Sequence, residues 1–435
     1  MDFFQPYTIF YNHQFQQETY PEEVKELLRL KQVRSWDFSD KAHFLYQVTR
    51  FLYDGQYGDA FTAYDIRIRP DFSGSQTVLG KHLLQLTGSF GKDFTPLAQW
   101  IYNYVYDGTT PVNIWLEYEK EPSCQLQLRI QFFQSGAIGD LVKEIIYSED
   151  DLKEPILLDE FERYYLAFCL EAKGEGELKI GALHKRYSHG PFGEMTVGAQ
   201  TLRDSKRQEI FAYFHPGDMK PPLNIYFSGY RPAEGFEGFV MMRRMGSPFI
   251  LFSDPRLEGG SFYMGSQELE DQIVAYIDQY LDWLGFGPKE MNFSGLSMGT
   301  FGALYYGSSY SPHAILVGKP IVNLGDVAAN LKFKRPDEFG TSLDMMQLLV
   351  GQVSREGIDL LNQRFWDRFN QADLKDTILA MAYMRDDDYD QLAYPKILEA
   401  LYDHPVRIIS SSRPGRHNDA SAPIVEWFLT QYKEI

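Results

Sequence analysis

The chain has 435 residues, of which 44% are hydrophobic and 23% are charged, so it can form two or three domains with sizeable buried cores. Its 42 basic and 60 acidic side chains give a net charge of −18, which argues against nucleic acid or an anionic lipid surface as the partner. The two cysteines, Cys124 and Cys169, lie in or beside strand-like runs and do not indicate a disulfide framework. This composition is typical of a soluble globular protein from a reducing compartment.

The opening segment, MDFFQPYTIFYNHQ, has no basic stretch followed by an apolar core, so it lacks the pattern of a secretion signal. No run of the sequence approaches the roughly 18 consecutive apolar residues of a membrane-spanning helix. We therefore expect a cytoplasmic protein without a transmembrane segment.

The first half of the chain alternates apolar and polar residues over several stretches. Clear examples are Tyr64–Pro70, Gln125–Phe133 and Glu177–Arg186. Such period-two runs, separated by glycine and proline, indicate antiparallel strands with one solvated face. The pattern predicts a β-rich, sandwich-like module over residues 1–215, which contains one short helix in YPEEVKELLRLKQ near its start.

The pattern changes after Phe214–Leu223, a segment with three prolines and one glycine that is the best boundary candidate. Beyond it, largely apolar runs such as SPFILFSD alternate with helical patterns such as the one over residues 267–287. Continuous apolar strands that alternate with helices indicate a doubly wound, mostly parallel sheet. Residues 216–435 are therefore predicted to form a second domain of the α/β class.

The motif FSGLSMG places Ser297 between Gly295 and Gly299, after a predicted buried strand and before a predicted helix. A G-x-S-x-G motif in this position is typical of the nucleophile elbow of α/β-hydrolases, in which a strained turn holds the serine Oγ above the sheet edge. Glycines flank such a serine because a Cβ at either position would strike the strand or the helix. The alternative is a tight strand–helix crossing with a bystander serine, but the location favours a nucleophile in an α/β-hydrolase-like sheet.

A nucleophilic serine needs a base and an acid that orients the base, and in this fold the acid precedes the histidine in the chain. The predicted strand VRIISSS leads into a glycine-containing loop with His417, which we predict as the base. The predicted strand TILAMAYM leads into RDDDYD, which offers Asp386, Asp387, Asp388 and Asp390. We predict Asp387 as the acid and Asp388 as the second choice; the alternative is that all four carboxylates form a solvated loop.

The site also requires backbone N–H groups that hold an oxyanion. The loop FSGYRPAEGF and the start of the helix after the serine predict Tyr230 and Met298 as these donors. Arg231 is either a substrate ligand or an ordinary surface arginine. We find no phosphate loop, dinucleotide fingerprint or metal-ligand spacing, so we predict neither a cofactor nor a metal.

Four segments together resemble a known family: FSGYRPAEGFEGFVMMRRMGSPFILFSDPRLEGGSFYMGS, FSGLSMGTFGALYYG, AYMRDDDYD and SRPGRHND. They are similar to the second accessory secretory protein, the hydrolase-like member of the accessory Sec systems of Gram-positive bacteria. The resemblance is strong over the C-terminal half. The N-terminal half shares the layout of a β-rich module that precedes the hydrolase-like domain.

The resemblance implies an acetyltransferase that uses a Ser/acid/His triad to modify N-acetylglucosamine on serine-rich-repeat glycoprotein adhesins. It maps the nucleophile to Ser297, the base to His417 and the acid into RDDDYD, most simply to Asp387. Members of the family can use glutamate there, whereas this chain has only aspartates, so Asp386 and Asp388 stay open as the acid. The resemblance also implies a complex with other accessory Sec proteins and a motor ATPase, either in the cytoplasm or peripheral at the membrane.

Two other functions compete with this interpretation. The same triad would serve a serine carboxylesterase or deacetylase, in which water accepts the acyl group. The chain could instead be a non-catalytic scaffold of the export complex that retains a hydrolase architecture for binding. The β-rich module would hold a carbohydrate or a partner protein, or it would have a purely structural role. The sequence has no readable signal for the acetyl donor, the oligomeric state or the partner interface.

Overall fold

The computed structural model describes residues 4–15, 19–136, 139–257, 259–330 and 342–435. These residues form two units. The first, which we call the β unit, comprises Leu45–Thr196 and Ser205–Arg207. The second, which we call the α/β unit, comprises the described parts of Met1–Phe44, Val197–Asp204 and Gln208–Ile435.

The segment before the β unit forms a small layer of the α/β unit. Its elements are β1 (Phe10–Asn12), α1 (Glu22–Leu30) and β2 (Arg34–Trp36), after which α2 (Lys41–Phe51) leads into the β unit. Strands β1 and β2 pair in parallel. Tyr7 holds this layer in place, because its hydroxyl donates to the carbonyl of Phe214 at 2.8 Å and its ring packs against Tyr213.

Within the described residues, the β unit is a sheet of ten strands with antiparallel pairing. The strands are β3 (Gly58–Phe61), β4 (Ile66–Ile68), β5 (Ser75–Leu79), β6 (Leu83–Trp100), β7 (Tyr104–Tyr106), β8 (Val112–Lys120), β9 (Cys124–Gln134), β10 (Leu141–Ser148), β11 (Ile156–Leu158) and β12 (Tyr164–Tyr187). The long strand β12 pairs with β9 over residues 164–174 and with β8 over residues 178–187. It thereby joins two groups of strands around a common apolar core, and the antiparallel pairing predicted for this region is present.

The rest of the chain alternates strands and helices. The elements are β13 (Gln200–Arg203), β14 (Glu209–His215), β15 (Leu223–Phe227), α3 (Phe239–Met245), β16 (Phe249–Ser253), α4 (Gln267–Leu284), β17 (Met291–Leu296), α5 (Met298–Gly307), β18 (Ala314–Gly318), α6 (Leu324–Ala329), α7 (Ser342–Val350), α8 (Arg355–Phe369), β19 (Ile378–Met384), α9 (Ala393–Ala400), β20 (Arg407–Arg413) and α10 (Ser421–Glu434). The alternation predicted for this part of the chain is therefore confirmed, and the fold is a mixed α/β architecture.

In the part of the chain that the structure covers, the α/β unit contains one large sheet of eight strands, in the order β13-β14-β16-β15-β17-β18-β19-β20. Strands β13 and β14 are antiparallel to their neighbours, whereas β15 to β20 run parallel. Strands β15, β16 and β18 are buried at every residue, and helix α5 is buried over its whole length. Among the described helices, none has both the length and the apolar character that crossing a bilayer requires.

The units divide the chain differently from the boundary predicted between residues 215 and 216. Strand β14 pairs with β16 from Phe211↔Ser253 to His215↔Phe249, so β13 and β14 extend the α/β sheet. Period-two alternation identifies an antiparallel strand, but it does not identify the sheet that the strand joins. The described residues before Leu45 also belong to the α/β unit and not to the β-rich module.

Candidate active site

Ser297 lies in a strained turn between strand β17 and helix α5. Its φ is 52° and its ψ is −118°, a backbone conformation that residues other than glycine rarely adopt. A Cβ on Gly295 would lie 2.2 Å from the carbonyl oxygen of Gly299, and a Cβ on Gly299 would lie 2.0 Å from that of Phe227. Glycine is therefore required on both sides of the serine, for the steric reason that the motif suggests.

The Ser297 hydroxyl meets the imidazole of His417. The distance from Ser297 Oγ to His417 Nε2 is 2.8 Å, although the two residues are separated by 120 positions in the chain. His417 is buried, with 1% of its surface exposed, whereas Ser297 is partly accessible. The imidazole is thus shielded from solvent, whereas Ser297 can still be reached from it.

Asp387 contacts the other imidazole nitrogen. Its Oδ2 lies 2.8 Å from His417 Nδ1, and its side chain is buried. Because an ionised carboxylate can only accept, the ring nitrogen that faces it carries the hydrogen, and Nε2 is left to accept from the Ser297 hydroxyl. Asp387 Oδ1 accepts the backbone N–H groups of Tyr389 at 2.8 Å and of Asp390 at 3.1 Å, which fixes the carboxylate in this orientation.

The neighbouring aspartates contact the same histidine loop at other points. Asp388 Oδ1 accepts the backbone N–H of His417 at 3.0 Å, and Asp386 Oδ2 accepts the backbone N–H of Gly415 at 3.1 Å. The structure therefore brings Asp387 to the imidazole ring and the other two to the main chain of the loop. This geometry favours Asp387 among the three, and its role as the acid stays a prediction.

The two predicted oxyanion donors follow the carboxyl ends of two adjacent strands, β15 and β17. Strands β15 and β17 pair in parallel with Phe227 opposite Gly295, so the loop that carries Tyr230 begins beside the turn that carries Ser297. Met298 is the first residue of α5 and is buried, and the side chain of Tyr230 is half exposed. Their role as donors stays a prediction.

Glu237 organises the loop that contains Tyr230, a contact for which the sequence offers no local signal. Its Oε2 accepts the backbone N–H of Gly229 at 2.6 Å and the hydroxyl of Tyr226 at 3.1 Å. The guanidinium of Arg231 donates to the carbonyl of Phe236 within the same loop. Arg231 thus also helps to hold the loop, besides either role considered for it from the sequence.

Two further contacts near the candidate triad were not predicted from the sequence. The ring of Tyr389 packs against that of His417 at a centroid distance of 4.3 Å. The loop after β16 contains a buried pair in which Asp254 accepts two hydrogen bonds from the Arg256 guanidinium, at 2.8 and 2.7 Å. The same loop borders the helix start, because a Cβ on Gly260 would approach Met298 Sδ to 2.7 Å.

Comparison with known proteins yields one family. The family model described as Asp2: Accessory Sec system GspB-transporter matches residues 1–435. The accessory Sec system protein Asp2 of Streptococcus gordonii is 44% identical over 430 residues, which cover 99% of this chain and 84% of the relative. The protein of the same description from Staphylococcus aureus is 45% identical over 385 residues, which cover 88% of this chain and 74% of the relative.

A solved structure extends this similarity to three dimensions. A chain of the Glycosylation Associate Protein (Gap123) complex from Streptococcus agalactiae is similar with a TM-score of 0.95 and 39% identity. The match covers 99% of this chain and 83% of that chain. Both units described above therefore fall within the similarity.

The steric demand at the elbow leads to a prediction. Replacing Gly299 by alanine should lower the free energy of unfolding by at least about 2 kcal/mol, because the new methyl group meets backbone atoms that cannot move aside independently. The matched control is Gly287→Ala, since the nearest atom to its Cβ is 3.9 Å away. Denaturant unfolding of the two variants measures the difference, and equal stabilities would contradict the steric account.

Proposed function

The chain belongs to the Asp2 family of accessory Sec system proteins, and on that premise we propose that it acetylates N-acetylglucosamine on serine-rich-repeat adhesins and supports their export. The observation that carries the enzymatic part is the continuous chain of hydrogen bonds from Ser297 through His417 to Asp387. A serine in a strained elbow, a buried base and an oriented carboxylate are the components of nucleophilic acyl transfer.

We further propose that the α/β unit is an α/β-hydrolase-type domain. Its parallel strands, the antiparallel strand β14 beside β16 and the elbow between β17 and α5 support this assignment. The nucleophile, acid and base follow β17, β19 and β20, at the carboxyl ends of parallel strands. Open α/β sheets bind their ligands at that edge.

The reaction would proceed in two balanced steps. In the first, Ser297 Oγ attacks the carbonyl carbon of an acetyl donor while His417 Nε2 takes the hydroxyl proton. The backbone N–H groups of Met298 and Tyr230 would hold the oxyanion, and Asp387 would stabilise the imidazolium. Collapse of the intermediate expels the leaving group, which takes the proton from His417 and leaves an acetyl ester on Ser297.

In the second step, a sugar hydroxyl attacks the acetyl-serine. His417 accepts the hydroxyl proton and returns it to Ser297 Oγ when the ester bond breaks, so the enzyme is regenerated and the sugar carries the acetyl group. A carboxylesterase would follow the same path with water in place of the sugar. The transferase outcome depends on exclusion of water from the acyl-enzyme.

The export role rests on the family. A similar chain forms part of the Gap123 complex, which supports assembly of this chain with other accessory Sec proteins. The β unit would then hold the glycan or a partner protein, and exposed rings on it, such as those of Tyr64, Tyr102 and Phe161, offer contact surface for either. The assembly would work in the cytoplasm or at the membrane surface, next to the motor ATPase.

Substitution of the nucleophile separates the two proposed roles. We expect Ser297→Ala to abolish acetylation of the adhesin glycan and to leave export intact, because the hydroxyl takes part in chemistry and not in packing between proteins. Mass spectrometry of the exported adhesin measures the first effect, and its amount at the cell surface measures the second. The control is Ser309→Ala at an exposed serine; unchanged glycan mass in Ser297→Ala would refute the enzymatic role.

The partition of the acyl group distinguishes a transferase from a plain esterase. An activated acetyl ester is mixed with the protein and with increasing concentrations of an N-acetylglucosamine acceptor. We expect acetylated sugar to form at the expense of free acetate, with Ser297→Ala as the background control. Release of acetate alone at every acceptor concentration would identify a hydrolase.

The identity of the acid can be tested by labelling Ser297 with a fluorophosphonate. We expect Asp387→Asn to slow labelling by about 10³–10⁴-fold, because the imidazole loses the carboxylate that fixes its tautomer and stabilises its charge. Asp386→Asn and Asp388→Asn keep an amide oxygen that can accept the loop N–H groups, and neither carboxylate is the one bonded to the imidazole, so their effects should be much smaller. A slower rate in either of these variants than in Asp387→Asn would reassign the acid.

A further inference from the structure

We infer that Asp390 is a positioning residue, which sets the location of the Asp387 carboxylate, and through it of His417, relative to Ser297. This inference rests on the proposed function of the triad. Asp390 is the fourth carboxylate of RDDDYD, and the triad itself does not use it. Its contacts connect the acid loop to the elbow through the segment that follows β18.

Asp390 receives three hydrogen bonds from that segment. Its Oδ2 accepts the backbone N–H groups of Val322 at 2.8 Å and of Asn323 at 2.7 Å, and its Oδ1 accepts the side-chain Nδ2 of Asn323 at 2.8 Å. The carboxylate is 7% exposed. Burial raises its pKa, and the three N–H donors oppose that rise.

The same segment is bonded to the elbow on its other side. The backbone N–H of Ser297 donates to the carbonyl of Gly318 at 2.8 Å. The hydroxyl of Thr300 donates to the carbonyl of Ser297 and accepts the backbone N–H of Ile321 at 3.0 Å. Residues 318–323 are therefore held between the nucleophile and Asp390.

Asp387 connects Asp390 back to His417 and Ser297. The backbone N–H of Asp390 donates to Asp387 Oδ1 at 3.1 Å, and Asp387 Oδ2 contacts His417 Nδ1, whose ring contacts Ser297. The circuit consists of these hydrogen bonds and of the backbone of residues 318–323. A displacement of the acid loop at Asp390 would consequently move the imidazole relative to the serine.

The other hydrogen bonds of Asn323 determine which atom of its side chain faces Asp390. Its Oδ1 accepts from Trp366 Nε1 at 3.0 Å and from Lys396 Nζ at 3.1 Å, so its Nδ2 must face Asp390. An amide at position 390 could still accept the two backbone N–H groups on its oxygen. Its own NH₂ group would then face the NH₂ group of Asn323, and two donors would oppose each other.

This orientation of Asn323 suggests a reciprocal exchange as the test. We expect Asp390→Asn to slow fluorophosphonate labelling of Ser297 by about 10²-fold, the size of effect that a displacement of roughly 1 Å produces at a reacting centre. The double variant Asp390→Asn/Asn323→Asp places a carboxylate opposite the new amide and keeps acceptors for Trp366 and Lys396. It should restore most of the lost rate.

The pH dependence of labelling separates positioning from charge. Loss of a negative charge near His417 would shift the pH midpoint of the labelling rate, whereas displacement of the imidazole would lower the plateau rate above that midpoint. The plateau rate above the midpoint should fall in the single variant and recover in the double variant. A merely structural role would lower the thermal midpoint without changing the plateau rate of the folded protein.

The control for stability is Glu209→Gln, a buried carboxylate on β14 near the opposite edge of the same sheet, where it pairs with Arg203. It should lower the thermal midpoint and leave the labelling rate at the wild-type value. If Asp390→Asn does not fold, Asn323→Ala replaces it. This variant removes the side-chain donor to Asp390, and with it the acceptor of Trp366 and Lys396, but it keeps the two backbone bonds to Asp390 and should therefore slow labelling by less.

The outcomes are distinguishable. Wild-type labelling in folded Asp390→Asn or in Asn323→Ala would overturn the inference and leave the proposed function standing, and so would a double variant that regains thermal stability but not the plateau rate. Failure of the wild-type protein to be labelled at Ser297 would overturn the proposed function, and the inference with it.

Discussion

The close approach of helix α5 to strands β15 and β17 is the constraint on which the candidate site depends. Backbone lies against backbone there, with no room for a Cβ on Gly295 or on Gly299. The chain must reverse between a buried strand and a buried helix within one residue, which forces Ser297 to a positive φ. Packing of the sheet stabilises this strained residue, and the strain in turn holds one hydroxyl at the sheet edge in a fixed direction.

The order of the parallel strands determines which residues meet that hydroxyl. Strands β17, β18, β19 and β20 lie side by side, so the loops at their carboxyl ends form one row. Ser297 belongs to the first loop of this row, Asp387 to the third and His417 to the fourth. The second loop, after β18, forms hydrogen bonds to Ser297 and to Asp390, and so connects the first loop to the third. Ser297 Oγ and His417 Nε2 can thus lie 2.8 Å apart although the two residues are separated by 120 positions in the chain.

Local pattern was sufficient to predict the parts of the site that local structure determines. The strand–helix alternation, the elbow at Ser297 and the loop that carries His417 are encoded in periodicity, in glycine placement and in chain order. The sequence could not distinguish among Asp386, Asp387 and Asp388. All three are adjacent and form hydrogen bonds to the loop that carries His417, and they differ only in the direction of their side chains. The domain boundary also could not be read, since the residues of β13 and β14 identify strands but not the sheet that these strands join. Glu237 and Asn323 act through contacts that no spacing rule describes.

Much of the geometry at the sheet edge rests on carboxylates that accept backbone N–H groups of loops. Six residues have this contact in common: Glu237, Asp254, Asp386, Asp387, Asp388 and Asp390. Loop backbones cannot pair with one another in a regular ladder, so their N–H groups need another acceptor, and a carboxylate offers two oxygens with several lone pairs and charge-assisted bonds.

These contacts explain why some of the acidic residues that the chain has in excess over basic ones are needed for its structure. Burial raises the pKa of Asp390, and the neighbouring Asp387 adds to that rise. The N–H donors of Val322 and Asn323 oppose it by favouring the ionised form of Asp390, and Asp387 likewise accepts two backbone N–H groups. These hydrogen bonds offset the repulsion between the two carboxylates. They also hold the loops in place, because their donors are the N–H groups of the loop backbones. A neutral acceptor in either position would remove the repulsion but would weaken the hold on the loop, and the imidazole would lose its defined place.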